Sequence, residues 1–205
     1  LCNIKRQIED ATVTIAATGG QGILVANRMI VTASHCINVI GDGSMAACDR
    51  FIEDVITKQG TRLQLVAHAV DPCSDVAVLG ELDDQDLVDD IQAFKQFTKA
   101  VPSVRVATRL PNLRPFDVSL FHHGEWFEAK ASMLCPSMLR LSANRELKQG
   151  TAGGPVIDEN GELLGVITNT RSPAHTPRFV GECPLLCQAL PVWMLNAILG
   201  AQNNS

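Results

Sequence analysis

Residues 148–158 read KQGTAGGPVID, and the reading of this stretch decides how the rest of the chain is understood. Gly150, Gly153 and Gly154 surround one small side chain, Ala152, and Pro155 closes the run. Glycines flanking a small residue let the backbone turn sharply and aim successive N–H groups into one spot, the arrangement that stabilises a developing oxyanion. Alone the run is a moderate signal. Its weight depends on what else the chain places at strand ends.

Working outward, Asn160-Gly161 lies between two apolar segments, and such a pair readily takes the positive φ angles of a tight hairpin turn. Most other apolar segments are short, rich in Val, Ile, Leu and Thr, and bounded by Gly, Asn, Asp or Pro, the pattern of strands in an all-β protein. A first set comprises ATVTIAA from Ala11, GILVAN from Gly22, RMIVTAS from Arg28, RLQLVAHAV from Arg62 and DVAVLGEL from Asp75. A second comprises VRVAT from Val104, DVSLFHH from Asp117, EWFEAKASML from Glu125, MLRLSA from Met138, GPVID from Gly154, LLGVIT from Leu163 and a last strand near Leu186. Between them ELDDQDLVDD, from Glu81 to Asp90, holds six acids in ten residues and reads as a solvated linker. IQAFKQFTKA after it is compatible with helix, and PVWMLNAILG, from Pro191 to Gly200, reads as a closing helix. The expected organisation is one domain over 1–205: a β lobe at 11–82, an acidic linker at 83–103, a second β lobe at 104–190 and a helix at 191–200.

MIVTASHCI sets His35 just after an alternating strand, and DPCSDVAVLGELD sets Asp75 directly before another. Taken singly, such a histidine caps a turn and such an aspartate merely opens a strand. A histidine, an aspartate and a glycine-rich turn, each at a strand edge and spread over two lobes, form a stronger combination. TASHC, DVAVL and GTAGGP resemble the histidine, aspartate and Gly-x-Ser-Gly-Gly-Pro motifs of the chymotrypsin-fold serine proteases, the aspartate motif in its HtrA-like form. The order His, Asp, Ser is also that of this family. GELLGVITNT is similar to the strand lining the family's substrate cleft, and CQALPVWML to the closing strand and helix of HtrA-like proteases, so the likeness runs from Ala11 to Leu199.

The resemblance implies an all-β fold, a double six-stranded antiparallel β-barrel with a short C-terminal helix. It makes His35 the general base, Asp75 the partner that fixes its tautomer, and Ala152 the occupant of the nucleophile position. The N–H groups of Gly150 and Ala152 would form the oxyanion hole, which needs no side chain. A protein or peptide substrate would pair as an added strand along Thr168, Asn169 and Thr170. Thr170 stands where a glycine opens the trypsin pocket, which would narrow it. Glu146 falls near the acid of trypsin-type pockets and suggests Arg or Lys at the cleavage site; the alternative is an exposed charge beside Arg145. Asp71, the nearby rival for the acid role, precedes Pro72 and reads as a turn residue.

Three positions depart from the family pattern. An alanine cannot attack a carbonyl, so this chain is expected to be inactive. Either a serine has been substituted, to stop self-cleavage or trap substrate, or the chain is a natural pseudoprotease that binds a peptide or protein. Thr151 replaces the aspartate that pairs with a newly cut N-terminus in zymogen-type trypsins, and the N-terminal segment has no Ile-Val-Gly-Gly start. Loop ordering, a regulatory domain or a partner protein is therefore the expected switch. Trypsins also join the cysteine after the histidine to one about sixteen positions earlier, a family feature; here Cys36 faces a region where Gly20 is nearest that place.

Composition narrows the partners. Twenty-two acids against seventeen bases give a net charge of −5, with no basic block to track a phosphate backbone, so nucleic acid is not expected. No apolar run has the length to cross a bilayer. The seven cysteines are odd in number without repeated spacing, which argues against a secreted disulfide framework and for reduced thiols in a cytoplasm, while the likeness to the bacterial HtrA-like branch implies a bacterial setting. Cys183 and Cys187 lack a second ligand pair at motif spacing, and no metal or organic cofactor is expected. His122 and His123 precede Gly124 and are expected exposed at a hairpin tip, while Trp126 and Trp193 are expected in the core or between lobes.

Overall fold

The computed structural model describes residues 2–37, 52–82, 87–108, 114–135, 138–143, 150–169, 179–182, 190 and 192–204. A first barrel closes in the order β1 (Thr12–Ile15), β2 (Gln21–Val25), β3 (Met29–Ala33), β6 (Val76–Gly80), β5 (Arg62–Asp71), β4 (Ile52–Thr57). A second closes as β10 (Pro155–Ile157), β11 (Leu163–Asn169), β12 (Phe179–Glu182), β9 (Met138–Ala143), β8 (Glu125–Cys135), β7 (Phe116–His122). All ladders within the barrels are antiparallel, so the chain has the double β-barrel, chymotrypsin-like fold. Closure leaves neither sheet with a free edge.

Burial explains the strand order. Every residue of β2, β3 and β6 is buried, because one face fills the first barrel and the other is covered by the rest of the molecule. Apart from Gln21, Gly22, Met29, Thr32 and Gly80, they consist of Val, Ile, Leu and Ala, the short apolar segments that read as strands. β4 does the opposite: its inward positions are Glu53, Val55 and Thr57, while Ile52 and Ile56 face solvent. Its apolar residues are out of phase with its buried ones, so the sequence pattern passes over it.

Val104 to Ala107, expected as a strand, is instead a seam. Val104 makes a parallel bridge to Val25 of the first barrel, and Val106 makes one to Leu163 of the second. The Val104 N–H donates to the Leu24 carbonyl at 2.9 Å, and Ala107 N–H to that of Leu163 at 2.9 Å. One apolar core accordingly runs from Ile15 and Leu63 in the first barrel to Ile157, Leu163 and Val166 in the second.

Three helices brace this pair. α1 (Cys2–Ala11) is absent from the sequence expectations, since Ile4 and Ile8 are its only large apolar residues. Ile8 is fully buried, and Ile4 packs against Gly161, whose α-carbon has no room for a side chain on that side. Glu9 joins the barrels: Lys58 of the β4–β5 hairpin donates to it at 3.0 Å, and the Trp126 indole N–H of β8 at 2.9 Å. α2 (Val88–Ala100) follows the acidic segment, with Phe94 and Phe97 stacked in the core and Asp89 and Asp90 in the first turn, where carboxylates favour the helix dipole. α3 (Val192–Asn203) buries Met194, Ile198 and Gln202, spaced four apart. It runs past the expected stop at Gly200, where the Gln202 amide exchanges two hydrogen bonds with the Val106 backbone, at 2.8 and 3.0 Å.

Two expectations are corrected. Trp193 is half-exposed rather than packed in the core, and Val192 beside it is more exposed still. In the β10–β11 hairpin only Gly161 takes a positive φ, because Asp158 receives the N–H groups of Asn160 and Glu162 and makes a longer loop. The last strand expected near Leu186 lies outside the described residues.

Candidate active site

The end of β3 and the start of β6 meet in the ladder that pairs Ala33 with Val76, so the residues just beyond them become neighbours. Ser34–Cys36 forms one turn of 3-10 helix, which carries His35 out of the core with its side chain about half exposed. Asp75 sits opposite with φ +56°, a left-handed conformation uncommon for a residue with a side chain. Non-glycine residues held there concentrate at functional sites.

The aspartate is fixed from several sides. Its Oδ2 lies 2.6 Å from His35 Nδ1, while Oδ1 accepts from the His35 backbone N–H at 2.9 Å and from the Ser34 hydroxyl at 2.7 Å. The Ser34 N–H donates to the Asp75 carbonyl at 3.0 Å. Asp71, the rival acid, accepts instead from the N–H groups of Cys73 and Ser74, a local turn with no bond to the histidine.

The Asp75 carboxylate, with the Cys36 sulfur as a smaller second influence, pushes the His35 pKa up from 6.5 to about 10. By linkage, a base whose folded pKa is raised stabilises the fold fully below about 6.5 and loses that contribution as pH rises through about 10. Half-exposure keeps the effect modest through solvent screening. Asp75→Asn is expected to bring the imidazole titration, followed by proton NMR, back toward 6.5. A midpoint still near 10 would show that another group holds the proton.

The glycine-rich turn comes from the second barrel and approaches the residue after His35 across Gly20. Gly150 and Gly153 have φ of +91° and +78°. The Gly153 N–H donates to the Ile167 carbonyl at 2.6 Å, and Gly154 N–H to that of Thr151 at 3.0 Å. The N–H groups of Gly150 and Ala152 have no acceptor among the described residues. Thr151 is wholly buried and Ala152 nearly so. The Ala152 carbonyl accepts from the Gln21 N–H at 2.7 Å, and the Gln21 carbonyl accepts in turn from the Thr32 hydroxyl at 2.5 Å.

Gly20 locates the two halves relative to one another. A side chain on it would collide with the Cys36 sulfur and would come within 3.2 Å of the Ala152 carbonyl oxygen. The residue after His35 and the alanine of the turn therefore flank one glycine. Cys36 is a free, buried thiol facing that glycine.

Of the substrate-facing candidates, Thr168 is buried near the end of β11, and Asn169 pairs with Val180 of β12. Glu146 and Thr170 lie outside the described residues, as do Cys183 and Cys187. No cluster of metal-ligating side chains occurs among the described residues, and no helix there is long and apolar enough to cross a membrane. Sequence reasoning missed Ser34, Gln21 and Thr32. Ser34 acts on an aspartate 41 positions away, and Gln21 on a turn in the other barrel, so no local pattern marks them.

A double β-barrel with such a turn beside a His–Asp pair defines a class, the trypsin-like peptidase fold. A family model for the trypsin-like peptidase domain matches residues 20–166, well over half of the chain, and the chain belongs to that family. It is similar in structure to the Rv3671c protease in an inactive form, with a TM-score of 0.60 at 17% identity over 98% of this chain and 92% of that one. It is also similar to the inactive form of a serine-to-alanine mutant of Rv3671c from M. tuberculosis H37Rv, with a TM-score of 0.59 at 17% identity over 97% and 91%. At that identity the two structures speak for the fold alone. A comparison with curated protein sequences gives no significant match.

Proposed function

We propose that this chain is a serine endopeptidase domain in which alanine stands in for the nucleophilic serine, with His35 and Asp75 as base and orienting acid. The observation that carries the reading is the 2.6 Å His35–Asp75 contact on a turn whose buried cysteine touches the glycine next to the Ala152 carbonyl. A proton on Nδ1 satisfies Asp75 and leaves Nε2 to take the proton of a hydroxyl at position 152. That oxygen would attack the scissile carbonyl, and the carbonyl oxygen would draw on the N–H groups of Gly150 and residue 152. His35 would then return the proton to the leaving amine, and water activated at the same imidazole would release the acyl group.

The substrate is a protein or peptide laid along the end of β11, with Thr168 and Asn169 as contacts and Thr170 and Glu146 as the positions to test for side-chain preference. The direct test is covalent labelling. Ala152→Ser is expected to react with a fluorophosphonate probe, and the same variant carrying His35→Ala is not. An unlabelled but folded revertant would remove the protease reading and leave a peptide-binding domain.

The raised His35 pKa adds a prediction. General-base attack needs the neutral imidazole, so the acid limb of kcat/KM in the Ala152→Ser variant should lie above pH 6.5, displaced toward 10. A limb at or below the ordinary histidine value would mean that the Asp75 pairing does not persist in the active form.

A further inference from the structure

The β7–β8 hairpin turns in two residues: His122 pairs with Glu125, and the central His123 and Gly124 have φ of +43° and +86°. Positive φ at both centres is a type I′ turn, where Asn-Gly fits with least strain and a histidine is a poorer first residue. The imidazole of His123 lies against the glycine-rich turn. A side-chain carbon on Gly150 would sit 3.0 Å from His123 Nε2 and 3.0 Å from the Gly19 carbonyl oxygen, so both atoms line the face of Gly150 where a side chain would stand. His122, expected exposed, is buried; its ring centroid lies 4.3 Å from that of His123, and its Nδ1 is 3.4 Å from Gln21 Oε1. Gln21 is the residue that holds the Ala152 carbonyl, and its amide oxygen also abuts the Gly154 α-carbon. The two histidines thus reach both ends of the turn.

We propose that His123 is a positioning residue for the oxyanion turn, its imidazole packing beside the Gly19 carbonyl on the side-chain-free face of Gly150 while His122 secures the far end through Gln21. The inference rests on the protease reading for its kinetic consequence, though not for the geometry. A left-handed histidine, where asparagine would strain the turn less, points to a task for its side chain beyond turning the chain.

The test uses His123→Asn, which keeps the turn and removes the ring. In the Ala152→Ser background kcat should fall roughly 10-fold with KM unchanged, because loss of a brace is milder than loss of an oxyanion donor, worth about 10²–10³ in rate. Thermal stability should hold or rise, and His123→Gln, which restores a nitrogen at similar reach, should recover part of the rate. Equal kcat in the asparagine variant would overturn the proposal. If the revertant carrying His123 neither turns over nor labels, the protease reading fails, and the brace is then judged in the Ala152 chain. There the backbone ¹⁵N order parameter of Gly150 should drop from about 0.85 to below roughly 0.6 in His123→Asn, and an unchanged value would refute the brace on its own.

Discussion

Ala152→Ser is expected to raise peptide-hydrolysis kcat by about 10⁶-fold, the scale on which a triad nucleophile contributes. The size follows from how much of the proposed machinery is already held in place. Asp75 holds His35 through Nδ1, and Ser34 and the His35 backbone hold Asp75. The Ala152 carbonyl is anchored on Gln21, so a hydroxyl placed on this residue starts from a fixed backbone. Side chain 152 is also close to buried, which limits the rotamers a serine there can take. Steady-state hydrolysis of a peptide library by the Ala152 chain and by its Ala152→Ser variant measures the ratio. A ratio near one, with the fold intact, would mean that the glycine turn serves binding and not chemistry.

Among the glycines whose surroundings are described, Gly153→Ala should be the most damaging, lowering stability by roughly 3–5 kcal/mol through overpacking and backbone strain together. Gly153 has φ +78°, and a side-chain carbon on it would overlap the Gln21 carbonyl oxygen and lie 2.5 Å from Thr32 Oγ1. Neither neighbour can withdraw, since Thr32 donates to that same Gln21 oxygen and the Gln21 N–H is tied to Ala152. For a domain of this size the melting temperature should fall by roughly 10 °C. Gly60→Ala is the matched control, with φ +83° but open space around it, and should lose only about 1–2 kcal/mol from strain. Equal losses in the two would show that strain alone accounts for Gly153.

What the sequence made legible was the part written in contiguous residues. His35, Asp75 and the 150–155 turn each sit in a motif a few residues long, and strands such as β2, β3 and β6 are short, largely apolar segments. β4 was hidden because barrel closure overrides its apolar phase, turning Glu53 and Thr57 inward and Ile52 outward. α1 was hidden because only Ile4 and Ile8 mark its apolar face, and contacts from Trp126, Lys58 and Ser103, distant in sequence, help to fasten it. Within the site, the support given by Gln21 and Ser34 is invisible for the same reason: each acts on a residue from a distant segment. The burial of His122 depends on the second barrel docking over Gln21, which no local feature of DVSLFHH announces.

The helix that joins the barrels has a consequence for synthesis. Glu9 leaves the ribosome 117 residues ahead of its partner Trp126. At roughly 5–20 residues per second, the helix waits about 6–23 seconds before both of its anchors exist. During that interval Ile4 lacks the surface at Gly161 that the second barrel contributes. Nascent chains stalled before Trp126 should therefore present this segment to chaperones, and those stalled well beyond it should not.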